Sequence, residues 1–316
     1  MSADPLLVAA GARVLVDDAV AVASFDLSTG GRQLVLAGGV APLFALLSNI
    51  PLGAREAAEA ASRDELVPSL GRARASGSFT IAGRDVTRGE HVGFVGVAPF
   101  DPPLPSDGSA TSYVTLATRL ALLARGLRVG EGESARRARD ALVKLGLQNP
   151  DRRTLRSLAL PERRVLVLAA ALASDPTVIV ADRPLLGLEG EAAAFVLTAM
   201  RAAFEGRGSI VVVDRLAAGT PEGDLTRRAS DVAVFFGGEL ALAGDPAIVL
   251  AKSRLYRVVV ASNAERLQAA LAARGMALEG GPAQFSLATS TDEAVSDVLR
   301  AASEVRSAVV EIVPLM

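Results

Sequence analysis

The chain has 316 residues, with 33 Lys and Arg against 35 Asp and Glu and a formal net charge of −2, so bulk charge selects neither nucleic acid nor acidic lipid as a partner. Half of the residues are apolar and 4% are aromatic, which excludes a disordered or collagen-like chain and suffices for one large core or two smaller ones. The absence of Cys and a single His, His91, remove disulfides, thiolate metal sites, thiol nucleophiles, His-rich metal sites and most acid/base triads.

At the N-terminus Asp4 stands where a secretory signal needs basic charge, and the apolar run there is short, which predicts a cytosolic chain without a signal. Short apolar runs predict strands at 13–16, 33–37, 78–83, 91–97, 177–182, 209–214 and 231–236. The stretch 33–54 carries no charge over 22 residues, long enough to span a bilayer. Gly38, Gly39 and Pro42 interrupt it and Ser48, Asn49 and Pro51 close it, so it reads as strand, loop and short buried helix. The charged, helix-patterned segment 53–73 reads as a surface insertion, and 112–147 as a helical insert whose Arg and Glu face outward. TVIVAD (177–182) and SIVVVD (209–214) have the composition of parallel strands buried on both faces, which makes this an α/β chain. After about Ser253 the order strand, helix, two strands, helix, strand predicts a small α+β domain of the ferredoxin-like βαββαβ type. The predicted domains are residues 1–252, with a helical subdomain at about 112–175, and residues 253–316. Arg pairs at 136–137, 152–153, 163–164 and 227–228 are dispersed among acids without stacking aromatics, so no nucleic-acid binding is expected.

Several segments carry a resemblance by their order and spacing: AGGVAPLFALL (37–47), SGSFTIAGRDV (76–86), HVGFVGVAPFDPPLP (91–105), LRSLALPERRVLVLAAALASDPTVIVADRP (155–184), the PLLGL that follows it, and ASDVAVFFGGELALAGDPAIVL (229–250). Over roughly residues 10–316 the chain resembles the nucleotide-binding subunit of an ATP-binding cassette (ABC) transporter, of the exporter type with a small C-terminal domain. The resemblance implies a P-loop NTPase-like ABC ATPase core with a helical subdomain, although no single motif is intact.

A P-loop needs glycines whose neighbouring N–H groups cradle phosphate, a Lys for the β and γ phosphates and a Ser or Thr for Mg²⁺. The matching stretch keeps Gly38 and Gly39, is about four residues short, and has Val40, Ala41 and Pro42 at its polar end. Only two Lys occur in the chain, Lys144 and Lys252, so no realignment supplies the missing one. By the same resemblance Phe100 stands for the Gln that touches Mg²⁺ and the attacking water, and Ala159, Leu160 and Pro161 stand for the signature Ser and two Gly. Asp182 matches the Mg²⁺-holding Asp, Arg183 the catalytic Glu, Glu189 the D-loop Asp and Arg215 the switch His. Arginine cannot accept a proton from water. No aromatic residue precedes Phe25 to stack on adenine, and His91 lies away from the switch position and reads as structural.

These exchanges predict a catalytically inactive pseudo-ATPase with no catalytic residue, no metal and no bound ATP. The resemblance implies partners: an ABC-type membrane subunit, an active ABC ATPase subunit, or both, in a homo- or heterodimer. It also implies a bacterial, cytoplasmic protein peripheral at the inner face of the plasma membrane without inserting into it. The membrane subunit would be received near residues 100–109. Ion pairs are expected among Arg183, Arg215, Asp182, Glu189, Asp214 and Glu162, replacing nucleotide in holding the site. The alternative is a non-hydrolysing regulator in which Arg183 and Arg215, with Arg84 or Arg163, receive a nucleotide or another anion. A third reading, a working ATPase with an atypical P-loop, lacks a base and a Lys.

Overall fold

The computed structural model describes residues 5–53, 71–105, 107–214, 216, 220–252, 254–281, 283–289 and 294–314. The insertion expected at 53–73 falls mainly on 54–70, outside the described residues.

Strands β1 (Leu7–Val16), β2 (Ala19–Ser28), β4 (Ala73–Ile81) and β5 (Arg84–Asp85) make an antiparallel sheet in the order β2-β1-β4-β5. Asp17 and Asp18 join β1 to β2 at φ 49° and 67°, the positive values that a tight hairpin turn requires. A second sheet runs β10 (Glu239–Gly244), β9 (Asp231–Phe236), β3 (Gln33–Gly38), β8 (Gly208–Val213), β7 (Val178–Asp182), β6 (Val95–Ala98). From β9 to β6 it is parallel, which is why its strands are mostly apolar runs without polar alternation, most β-branched in β7 and β8. The strand expected at 91–97 is shorter than its apolar pattern. The N–H groups of Phe94 and Val95 donate to the His91 carbonyl at 3.0 and 3.2 Å, so 91–94 is a turn and pairing begins at Val95.

Helix α1 (Ala41–Ser48) has Leu43, Phe44, Ala45, Leu46 and Leu47 buried and contacts strands of both sheets. That two-sided burial is why 33–54 carries no charge. The helix ends where Asn49 turns left-handed at φ 55°. Phe25 packs edge-on against Phe79 and Phe235, with centroids 6.0 and 5.3 Å apart. Among the described residues no helix is long and apolar enough to cross a membrane.

Helices α2 (Ala110–Ala124), α3 (Glu131–Lys144) and α4 (Leu160–Ala173) pack on one another, and α5 (Gly190–Phe204) packs on α4. Ser109 caps α2 reciprocally with Ser112, each backbone N–H donating to the other's hydroxyl at 2.9–3.1 Å. The dipole of α3 is matched by Glu131 and Glu133 in its first turn and Lys144 in its last.

The chain divides into two compact units, Met1–Asp214 with Ala229–Ala243, and Arg215–Arg228 with Gly244–Met316. The division differs from the boundary expected after residue 252, because α6 (Pro221–Arg227) and α7 (Pro246–Lys252) pack on each other and go with the second unit. That unit also holds an all-antiparallel sheet, β12 (Leu278–Gly280), β13 (Gln284–Thr289), β11 (Arg254–Ser262), β14 (Ala308–Pro314), with α8 (Ala264–Ala272) and α9 (Ala294–Glu304) in the chain order βαββαβ. Val258, Val260, Leu267, Leu271, Phe285, Leu287 and Val298 form its separate core.

Candidate functional site

The parallel strands β3, β6, β7 and β8 end at one cleft of about 400 Å³, lined by Gly38, Gly39, Phe44, Pro99, Phe100, Asp182, Arg183, Val212 and Asp214, with Ile50, Pro51 and Leu52 along one wall. The carboxyl edge of an open parallel sheet is where such folds bind ligands. The expected residues Gly38, Gly39, Phe100, Asp182, Arg183 and Asp214 therefore do share a site. Arg215 lies outside the described residues.

Asp182 closes β7, and Arg183 follows it at φ 42°, its N–H donating to the Val212 carbonyl at 2.9 Å. A left-handed arginine costs about 1 kcal/mol of backbone strain, offset here by that bond to the neighbouring strand. The turn aims the guanidinium back on its own neighbour: Nε and Nη2 donate to the two carboxylate oxygens of Asp182 at 2.9 and 3.3 Å, and Nη1 lies 3.9 Å from Asp214. Its carbon stands 4.5 Å from the centroid of the Phe100 ring, and that of Arg164 stands 4.1 Å from the same centroid. Two guanidiniums thus share one aromatic ring. The Asp182 side chain keeps 13% of its exposure and the Arg183 side chain 34%, so the pair is shielded on the carboxylate side.

The ion-pair expectation holds for Arg183 with Asp182 and Asp214; Glu162 is found with another arginine, and any pair of Arg215 falls outside the described residues. Glu162 pairs with Arg153 and accepts from the Ala159 N–H at 2.9 Å, capping its own helix. Glu189 is exposed, as the residue preceding α5. Ala159, Leu160 and Pro161 sit at the start of α4, Leu160 at 39% exposure, and are not among the cleft's lining. The alternative arginines are also elsewhere: Arg84 lies over the Phe94 ring and Arg163 donates to the Leu158 carbonyl. Sequence reading missed Arg164. The signal was there in ERRVLVLAAA, where the second arginine of the pair falls on the apolar face, 5% exposed.

His91, 3% exposed, lies outside the cleft lining, and burial pushes its imidazole below the ordinary value of 6.5. The native state resists a proton that the unfolded chain accepts. This contribution to stability is therefore full above about pH 6.5 and is lost as pH falls below it, at most about 1.4 kcal/mol per pH unit. Urea midpoints across pH 7.5 to 5.5 should fall in the parent chain and fall less steeply in His91→Gln.

Mg·ATP, which the resemblance implies, does not fit these residues. Both oxygens of Asp182 already accept from Arg183. At the start of α1 the Val40 N–H is turned back to the Gly38 carbonyl at 2.7 Å and Pro42 has none, so the helix start is short of the donors a phosphate requires. Gly38 makes room for the Phe235 carbonyl, 2.0 Å from where its Cβ would stand, and only Gly39 faces open space. No lysine lines the cleft, and Phe25 is 4% exposed, in the core. Among the described residues no cluster of carboxylates or His could hold a metal ion.

No protein-family model matches the chain. It is 26% identical over 176 residues to the Nod factor export ATP-binding protein I of Azorhizobium caulinodans, covering 55% of this chain and 52% of that protein. It is 28% identical over 161 residues to the oligopeptide transport ATP-binding protein OppD of Mycobacterium tuberculosis, covering 49% of this chain and 25% of that one. The chain thus spans about half or less of the length of these curated relatives. Among solved structures, CbiO1 of Clostridium perfringens, part of an ABC transporter complex, superposes with a TM-score of 0.54 at 18% identity, over 78% of this chain and 91% of that one. The chain has the ABC ATPase fold, and the curated relatives it matches are ATP-binding proteins of export and transport.

Proposed function

We propose that this chain is a catalytically inactive ABC ATPase homologue, a pseudo-ATPase that serves as a structural or regulatory subunit of an ABC transporter-like membrane complex. The observation that carries this reading is the Arg183 guanidinium lying on both oxygens of Asp182. The group standing for the general base is a cation, and it covers the carboxylate that stands for the metal ligand. Phe100, with no donor or acceptor in its side chain, supplies neither metal contact nor water positioning. In place of chemistry, the Arg183–Asp182 pair and the Phe100 stack hold the ends of β6, β7 and β8 in one arrangement.

Partners in this reading are a membrane subunit received near residues 100–109, an active ATPase subunit, or both, with the chain peripheral at the inner face of a bacterial plasma membrane. The anion-binding regulator draws less support. Arg183 is already matched by Asp182 and Asp214, and Arg84 and Arg163 serve other contacts. The reading predicts that Mg²⁺-dependent ATP turnover by the purified chain stays at the buffer background and is the same in Asp182→Asn. Turnover above background that Asp182→Asn abolishes would replace it with a working ATPase.

A further inference from the structure

Helix α2 is apolar on two opposite faces. Val114, Thr118 and Leu122 face inward at 0%, 0% and 2% exposure. Leu116, Leu120 and Leu123 face the other way at 58%, 59% and 57%, and Leu127, just past the helix end, follows at 50%. Helical spacing places Leu116, Leu120 and Leu123 within an arc of about 60°; Leu127, beyond the left-handed Gly126, extends the exposed row in sequence. The outer face of a surface helix is ordinarily polar. Here the protein's own core has claimed one apolar face, and the second is uncovered.

The charge beside that row has one sign. From residue 108 to residue 130 the sequence holds Arg119, Arg125 and Arg128 and no acidic residue. Arg125 is committed to the Gly93 carbonyl and the Phe94 ring. Arg119 and Arg128 are exposed, and among the described residues neither enters an ion pair. On α3 Glu133 and Asp140 are already paired with Arg136 and Arg137, which leaves Glu131, exposed in the first turn, as the one acid close in sequence to the end of the row. A leucine row edged by arginines is complementary to a surface that is apolar below and anionic above.

Area distinguishes the candidate occupants. Four half-exposed leucines offer about 400 Å², and two such rows fall short of the roughly 1,000 Å² that a specific protein interface buries. A second copy laid antiparallel over the row would set Leu116 against Leu127 and Leu120 against Leu123, and would bring no acid from residues 108–130 to meet Arg119 and Arg128. A bilayer needs no matching surface: it takes up individual apolar side chains while arginines reach headgroup phosphates. We propose that the outer face of α2 is a membrane-surface contact, in which Leu116, Leu120, Leu123 and Leu127 enter the headgroup boundary of an anionic bilayer and Arg119 and Arg128 meet its phosphates. The helix lies on the membrane and does not span it, and the contact is independent of the nucleotide cleft.

The test is flotation of the full chain with vesicles of phosphatidylcholine containing about 30% phosphatidylglycerol, against vesicles of phosphatidylcholine alone. The chain should float with the anionic vesicles and be released by 1 M salt, where the screening length is about 3 Å. Leu120→Gln with Leu123→Gln should weaken binding at least about tenfold, with an unchanged melting temperature because both side chains are exposed in the fold. Arg119→Glu with Arg128→Glu should remove the preference for anionic vesicles, while Arg201→Glu, a charge change on α5, should not. The proposal is overturned if the parent chain ignores anionic vesicles or if both double variants float as it does. It is equally overturned if sedimentation finds a dimer that the leucine variant dissociates, since a second copy then covers the row.

Discussion

Titrated with Mg·ATP to 1 mM, the purified chain should melt within about 1 °C of its nucleotide-free temperature. A ligand that binds only the native state stabilises it by RT ln(1 + [L]/Kd), so a retained site with a Kd near 10 µM would add about 2.7 kcal/mol at that concentration. For a chain of this size that is a rise of at least about 4 °C, well outside the expected result. Three features act together against binding. The carboxylate that would face the metal is covered by Arg183. The helix start that would face phosphate has one N–H turned inward at Val40 and one deleted at Pro42. The cations near the cleft are guanidiniums held on acids and on the Phe100 ring. Because the losses are separate, Arg183→Ala, which uncovers Asp182, should still show no rise. A saturable rise in the parent chain that Asp182→Asn removes would show that nucleotide binds, and the platform reading would give way to a nucleotide-dependent one.

Gly38→Ala should cost about 3–5 kcal/mol, a large share of the stability of any domain. Its φ of 89° is strained for any residue with a side chain, and the new Cβ would stand 2.0 Å from the Phe235 carbonyl oxygen. That oxygen belongs to β9, hydrogen-bonded beside β3, and Phe235 is locked edge-on against Phe25, so the backbone has nowhere to retreat. Gly39→Ala provides the contrast: nothing lies within 4 Å of its added Cβ, and the change should stay within about 0.5 kcal/mol. A working phosphate cradle would require both glycines for close approach to a ligand. Here only the one serving the strand contact is required. Urea midpoints of the two variants measure this directly, and a Gly38→Ala variant as stable as the parent would contradict the close approach of β3 and β9.

The parallel strands were legible because burial on both faces demands continuous β-branched runs, which TVIVAD and SIVVVD supply locally. The loss of a base at Arg183 and of a polar group at Phe100 was legible for a related reason. What a side chain can donate or accept is a property of its own residue type, and the neighbouring strand places it. Strand β2 is hard to read although seven of its ten residues are apolar, because Ala19, Ala21 and Ala23 around Val20 and Val22 blur the alternation of its two faces, and only Val22, Phe25 and Leu27 are buried. The turn at 91–94 was misread as strand because apolarity cannot report where N–H groups donate.

The sequence by itself determined the α/β core, the uncharged helix after β3 and the chemical character of the cleft, since local composition carries each of these. Tertiary structure alone decided which charges meet. Arg164 and not Arg163 reaches Phe100, because one residue turns a helix by about 100°. Glu162 goes to Arg153 instead of Arg183, because it is turned back to accept from the Ala159 N–H at the start of its own helix. It also decided which of the two apolar faces of α2 is core and which is left outside. Both faces repeat at helical spacing, and only packing against the neighbouring helices distinguishes them.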